Sequence, residues 1–438
     1  MRPKATEASS TRLTDPMTTR IKHVILTGGT GYIGESVADE ALRAQIKVTL
    51  LCRSPLRRAH PLLRHVAWEL GQPIPRESLD MAIPSAAQAM IHLAHDWRNS
   101  KSRPEHEAGL NMDAAKLLLA SGRQMELGRI VFVSSQSARK DAANIYGRTK
   151  WAIEQEFDRP NEVSARVGLV YGAPRRAMFG LLCRLTEIAP ILPMIDPWRM
   201  VQPIKREEVA AGLLRIADSE LRGWVGLAAP QGMPFGDFLT TLAREYFGRR
   251  LLILPVPLRL ALVGSDIASR IPFFPEIDRE RILGLAGTLP MSCADHLAKL
   301  QLTIAPLERG LRASPQSSKT ILREAYVLLS YVLRSNPGTR SMRNYARTTR
   351  VEGEGPLPLS FLFRLCPSLL RLIEPLDATS PLSQRLSRAT LLAEASPEGE
   401  QALSAGRHPA TRMALLAQQF ALDVAAMPFR LIAQLMRK

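Results

Sequence analysis

Tyr146 and Lys150 stand four residues apart in "YGRTK", a spacing that sets two side chains one turn apart on the same face of a helix. A free phenol titrates near pH ~10 and is a poor base at neutral pH. A neighbouring ammonium favours the phenolate, and a tyrosine so tuned can move a proton to or from a hydroxyl or carbonyl oxygen. Just upstream, "RIVFVSSQSA" brings Ser134, Ser135 and Ser137, whose hydroxyls could hold the same oxygen in place. Serines also cap helices and make turns. The spacing of Tyr146 and Lys150 arises by chance in many chains, so the pair gains weight only from the elements that position it.

The first of these is "VILTGGTGYIGESVADEALRAQIKVTLLCRS", Val24 to Ser54. Gly28, Gly31 and Gly34 follow an apolar strand and open a helix. One glycine permits the tight turn, one keeps a side chain away from a pyrophosphate, and one lets helix and strand approach closely. The helix N-terminus then offers N–H groups and a positive dipole end to phosphates. The turn Gly28, Thr30, Gly31, Tyr32, Ile33 and Gly34 is therefore expected to bind a dinucleotide, the competing reading being a fold of this kind without a cofactor. An NAD site wants an acid at the end of the second strand, for the ribose 2′-OH. Here Cys52 holds that place, and Arg53, Arg57 and Arg58 follow. An arginine can bind a 2′-phosphate that an acid would repel, so NADP is expected to be preferred over NAD. The alternative is a merely solvated arginine loop.

From Lys22 to about Gly168 the sequence alternates strands and helices. Strands are predicted at "HVILTG", "KVTLLC", "HVAWEL", "AMIHLA", "RIVFVSS" and "VSARVGLV". Helices are predicted near Glu35–Ala44, Glu107–Glu126 and Tyr146–Phe157. Such alternation implies βαβ units and a parallel sheet. The predicted fold is α/β, a Rossmann doubly wound parallel sheet over residues 21–170, with a smaller α/β substrate lobe over 171–312 interleaved with it and a mostly helical C-terminal extension over 313–438. Residues 1–20 are polar, without the apolar run of a signal peptide, and are expected to be disordered.

The chain has 438 residues, a formal net charge of +17 and four cysteines. None of Cys52, Cys183, Cys293 and Cys366 lies in a CxxC pair, so no metal site is expected and a reducing, cytoplasmic setting is. The charge favours anionic partners without choosing among them. A nucleic-acid role is not expected, since no reading helix or stacking aromatics stand out. Beyond a break placed at "ASPQSSKT", Arg334, Arg340, Arg343, Arg347 and Arg350 occur with no acid among them. Two apolar stretches with interspersed basic residues follow, near Pro356 and at the C-terminus. They are read as a helical domain with its own core, the alternative being an amphipathic surface that docks on a membrane or a protein partner. The longest apolar run, Leu251 to Ile271, is broken by Pro255, Pro257, Arg259 and Asp266, so no transmembrane helix is expected.

The ordered set "TGGTGYIG", "IHLA", "NMDAAKLLLA", "VFVSSQSA", "YGRTK", "RVGLVYG" and "QPIKREEVAAGL" resembles the extended short-chain dehydrogenase/reductase superfamily, of the NAD-dependent epimerase/dehydratase type. It is also similar to the version in the accessory Rossmann subunit of respiratory complex I. The resemblance covers about Lys22 to Arg312. It implies Ser135, Tyr146 and Lys150 as catalytic residues, with Tyr146 and Lys150 also touching the cofactor. It implies that His92 and Ala94 line the cofactor by main chain, that Glu69 and Leu70 meet the adenine, and that Asn111, the family's asparagine on the helix before the fifth strand, also belongs to the cofactor site. Ser137, Arg175 and Arg176 are candidate substrate contacts, the arginines for a diphosphate. A homodimer is expected from the family alone. The implied function is an NAD(P)-dependent oxidoreductase or epimerase acting on a sugar nucleotide or another carbonyl or alcohol substrate. Dehydration ranks lower because "SSQSARK" carries no acid pair. The loop from Ser135 to Tyr146 is shorter than in many sugar epimerases, and Lys205 stands where the family often has His. The alternative is a non-catalytic NADP-binding structural or regulatory subunit.

Overall fold

In the computed structural model the described residues are 20–53, 59–97, 104–188, 190–257, 289–313, 315–352, 361–373 and 380–396, with single residues between 354 and 359 and between 417 and 428. They form two compact units. The first comprises residues up to 167 with 207–227 and 293–302, and the second comprises 168–206, 228–292 and everything from 303.

The first unit is a seven-stranded sheet. Its strands are β1 (His23–Thr27), β2 (Lys47–Cys52), β3 (Leu63–Ala67), β4 (Gln88–His92), β5 (Arg129–Ser135), β6 (Glu162–Val167) and, later in the chain, β11 (Gly223–Leu227). They lie in the order β11-β6-β5-β4-β1-β2-β3, and every pairing is parallel. Parallel strands need crossovers, supplied among others by α1 (Gly34–Arg43), α2 (Pro104–Gln124) and α3 (Ile145–Glu154). β1 and β4 are wholly buried and β5 nearly so, as expected of strands covered on both faces. One core joins Ile25, Met90, Ile130 and Phe132 of the sheet to Leu118 and Ile153 of the helices.

The predicted strands all form, with shifted ends. "VSARVGLV" is the main exception. β6 stops at Val167, and Leu169–Tyr171 (β7) instead pairs within the second unit with β10 (Pro203–Lys205). The strand β11 was not anticipated: its "GWVGL" carries two glycines and gives no apolar run. "KREEVAAGL" does make the expected strand-to-helix step, β10 running into α5 (Arg206–Asp218).

In the second unit, α4 (Ala177–Ile188) packs on α6 (Phe235–Phe247). Two further short pairings complete this part, β9 (Met200–Val201) with β12 (Met233–Pro234) and β8 (Ile191–Met194) with β13 (Leu252–Pro255). Past α7 (Ala294–Lys299, in the first unit) and α8 (Leu307–Arg312), the sequence suggested a break. Instead α9 runs over Pro315–Leu333. Proline is tolerated in a helix's first turn, so "PQSSKT" starts a helix rather than a linker. With α10 (Thr339–Val351), α11 (Phe361–Leu365) and α12 (Pro381–Glu394) it builds a core around Leu328, Leu329, Tyr345, Leu370, Leu386 and Ala389. Glu324 lies in this region, 1 % exposed and 3.3 Å from Arg385. It also accepts hydrogen bonds from the Tyr345 hydroxyl and the Leu357 N–H, at 2.6 and 2.7 Å.

The described residues contain no helix long and apolar enough to cross a membrane and no cluster of His, Cys, Asp and Glu fit to hold a metal ion. The expected disorder of residues 1–20 falls outside them apart from Arg20, as do Arg57, Arg58 and most of the C-terminal apolar stretch.

Candidate active site at the switch between β1 and β4

Strand order reverses between β1 and β4, and in open parallel sheets the crevice at such a point takes the ligand. Gly28 ends β1 with φ +68°, and a Cβ there would come within 2.7 Å of the Ala94 nitrogen, just past β4. The backbone needs glycine on both counts. A Cβ on Gly34 would collide with the carbonyl of Gly28 and reach 2.7 Å from the Cα of Gly29. This is the close approach of helix to strand. On Gly31 a Cβ would meet only the Gly28 oxygen, at 3.1 Å, and the residue is exposed with Thr30. The N-cap of α1 is Ile33, which makes no side-chain hydrogen bond to the helix end. An exposed glycine at an uncapped helix start fits a bound diphosphate, which would take the helix N–H groups and the dipole's positive end. Tyr32 and Ile33 are half-buried.

At the end of β2, Arg53 is largely exposed and stands 3.9 Å from Glu69. That cation is open to an anionic ligand, though it shares its surroundings with a carboxylate. Leu70 packs against the sheet core. His92 is buried, hydrogen-bonded to Thr27 Oγ1 at 2.7 Å, and burial lowers its pKa to about 3, so it is neutral. The Ala94 N–H donates to the same hydroxyl at 3.3 Å. Asn111 is buried on α2, and its carboxamide is fully occupied. Its Oδ1 accepts from the Asp96 N–H at 2.8 Å, and its Nδ2 donates to the carbonyls of Asp96 and Glu107 at 3.1 and 2.9 Å. It thereby fixes the segment that leaves β4.

Ser135, Tyr146 and Lys150 converge beyond the C-terminal end of β5. Asn144 caps α3 through the Gly147 N–H at 3.2 Å and so fixes the turn on which Tyr146 rides. Ser135 hydrogen-bonds Tyr146. Its Oγ also lies 2.9 Å from that of Ser137 and accepts from the Ser137 N–H at 3.2 Å. Lys150 is 4 % exposed. Its ammonium donates to the Val133 carbonyl at 2.9 Å and sits 4.6 Å from the centre of the Phe132 ring and 5.7 Å from that of Tyr146. Burial lowers the Lys150 pKa to about 8, against the opposing pull of Glu154. The tyrosine departs from the expected lowering. Burial lifts Tyr146 to about 12, and the hydrogen bond from Ser135 offsets this only in part. The phenol is protonated at neutral pH.

Two neighbours escaped the sequence reading. The Trp97 ring stacks on Tyr146 at 5.1 Å and 27°, and His95 meets Tyr146 edge-on at 5.3 Å. His95 lies 3.4 Å from Glu107 and is held neutral by burial, which lowers its pKa to about 2. Trp97 is 53 % exposed, so one ring contacts both the tyrosine and solvent. "HLAHDW" held the signal, since it continues directly from the recognised "IHLA".

Arg175 and Arg176 lie in the second unit. Arg175 pairs with Glu187 at 2.6 Å and lies over the Phe247 ring at 4.8 Å, so its guanidinium is already engaged. Arg176 is exposed.

No curated protein matches the chain in sequence. Among solved structures it is similar to gox2253, with 18% identity and a TM-score of 0.51 over 67% of this chain and 96% of that one. It is also similar to the human epimerase family protein SDR39U1 (isoform 2) solved with NADPH, with 18% identity and a TM-score of 0.50 over 66% of this chain and 98% of that one. At such identity the likeness concerns the fold. Residues 24–166, from the first strand of the sheet to the end of the sixth, match the model of the NAD dependent epimerase/dehydratase family.

Proposed function

We propose that the chain is an NADP-preferring oxidoreductase or epimerase in which Tyr146 transfers the proton. The observation that carries this reading is the hydrogen bond of Ser135 to Tyr146 beside the buried ammonium of Lys150, all beyond the end of β5. The turn Gly28–Gly34 would hold the dinucleotide's diphosphate on the start of α1, and Arg53 would meet a 2′-phosphate. When bound, the cofactor supplies or accepts the hydride.

The chain's own residues do the acid–base work. A phenol raised to about 12 is an acid at rest, suited to protonating the oxygen of a carbonyl as it is reduced. The Ser135 hydroxyl bonds the phenolate as it forms. The Lys150 ammonium lies close enough to stabilise it electrostatically. Trp97 and the neutral His95 pack on the phenol and offer an apolar surface to the substrate. A sugar nucleotide remains within the family's range. The exposed indole and the engagement of Arg175 favour an apolar carbonyl compound instead.

The test is turnover of NADPH with a panel of carbonyl substrates by the wild type and by Tyr146→Phe. The expected result is loss of turnover with unchanged NADPH affinity. Unchanged turnover would remove Tyr146 from the mechanism. An absence of any turnover, with NADPH still bound, would favour the NADP-binding structural subunit.

A further inference from the structure

The arginine-rich segment has no part in the proposed chemistry. No Asp or Glu occurs between Glu324 and Glu352, while Arg334, Arg340, Arg343, Arg347 and Arg350 do. α10 fixes three of them in space. Its inner face buries Ser341, Tyr345, Ala346 and Thr349, and the helix packs on α9 and α12. Arg340, Arg343 and Arg347 fall on the outer face and are exposed, and among the described residues they make no ion pair. The nearby acids are already taken: Glu352 and Glu354 pair with Arg388, and Glu324 is buried with Arg385. At about 1.5 Å rise per residue, the three cations span roughly 10 Å along one line.

Val351 is the next residue on that line, at the 3.6-residue period, and it is 82 % exposed. The same helical region leaves Leu362 53 %, Ile373 46 % and Leu391 66 % exposed. We propose that the outer face of α10 docks on the surface of an anionic lipid bilayer, with the arginines at the headgroups and Val351 in the interface. A bilayer accepts both halves of this stripe, cation and apolar side chain, whereas a nucleic acid would reward aromatic stacking. The helix's one aromatic residue, Tyr345, is fully buried. Firm packing of the inner face means that no folding cost opposes docking.

The experiment is co-sedimentation of the full chain with phosphatidylcholine vesicles, plain or carrying about a third phosphatidylglycerol. Binding is expected only to the anionic vesicles and to weaken with added salt. The triple substitution Arg340→Gln, Arg343→Gln and Arg347→Gln should weaken binding on the order of a hundredfold. The triple Lys variant, which keeps the charge, should retain most of it. Circular dichroism and thermal melting of both variants check that the helices are intact. Equal binding of wild type and Gln variant, or equal binding to the two vesicle types, overturns the proposal. Tighter binding to single-stranded RNA than to the anionic vesicles, lost in the same Gln variant, would assign the face to nucleic acid instead.

Discussion

Lys150 is maintained in a place that disfavours its charge, and replacing it by methionine should therefore stabilise the protein. The pKa descends from the ordinary 10.5 to about 8, which corresponds to about 3 kcal/mol against the ammonium at neutral pH. The substitution also removes the charged hydrogen bond to the Val133 carbonyl, which takes back about 1–2 kcal/mol. A net gain of about 1–2 kcal/mol remains for Lys150→Met, measured by urea denaturation at neutral pH. The sign with pH is also fixed. Between about 8 and 10.5 the unfolded chain binds a proton at this lysine that the folded chain has released, so wild-type stability rises across that window relative to the variant. The advantage of methionine should shrink accordingly. NADPH turnover should fall at the same time, since the ammonium that steadies the phenolate is gone. A variant less stable than the wild type at neutral pH, or an advantage independent of pH, would refute the reasoning and make Lys150 a structural side chain.

Three other substitutions probe the frame. Gly34→Ala should force α1 away from the Gly28 carbonyl, with a loss of roughly 2–3 kcal/mol in stability and of nicotinamide affinity by titration. Trp97→Ala should let water reach Tyr146, so that its pKa falls from about 12 toward the ordinary range. Spectrophotometric titration, with Tyr146→Phe in the same background subtracted, reads that group alone. Arg385→Met should leave the Glu324 carboxylate buried without its partner, a destabilisation of about 3–5 kcal/mol in denaturant melts, and Glu324→Gln in the same chain should recover part of it.

The strands and the glycine turn were legible because buried parallel strands are continuously apolar and because Gly28 and Gly34 have steric duties that no other residue can perform. β11 was not, since two glycines dilute its apolar pattern. The start of α9 was misread because Pro, Ser and Gln suggest a linker, while the structure uses Pro315 in the first turn of a helix. Tyr146 and Lys150 could be paired from their spacing and Ser135 joined to them by the family resemblance, but the electrostatics of the three could not be read. The rise of Tyr146 to about 12 depends on its burial, and two rings packed on it, His95 and Trp97, come from a different strand end. Asn111 shows the same limit: its position was foreseen, whereas its hold on the main chain of Asp96 and Glu107 follows only from the fold.

The central claim is that the turn after β1 holds a working dinucleotide and that Arg53 selects its type. Calorimetric titration of the purified chain with NADPH and NADH tests this most directly. NADPH should bind, and more tightly than NADH, and Arg53→Gln should narrow the difference by roughly tenfold, the worth of one charged hydrogen bond at an exposed site. Absence of binding by either nucleotide, or tighter binding of NADH, would contradict it.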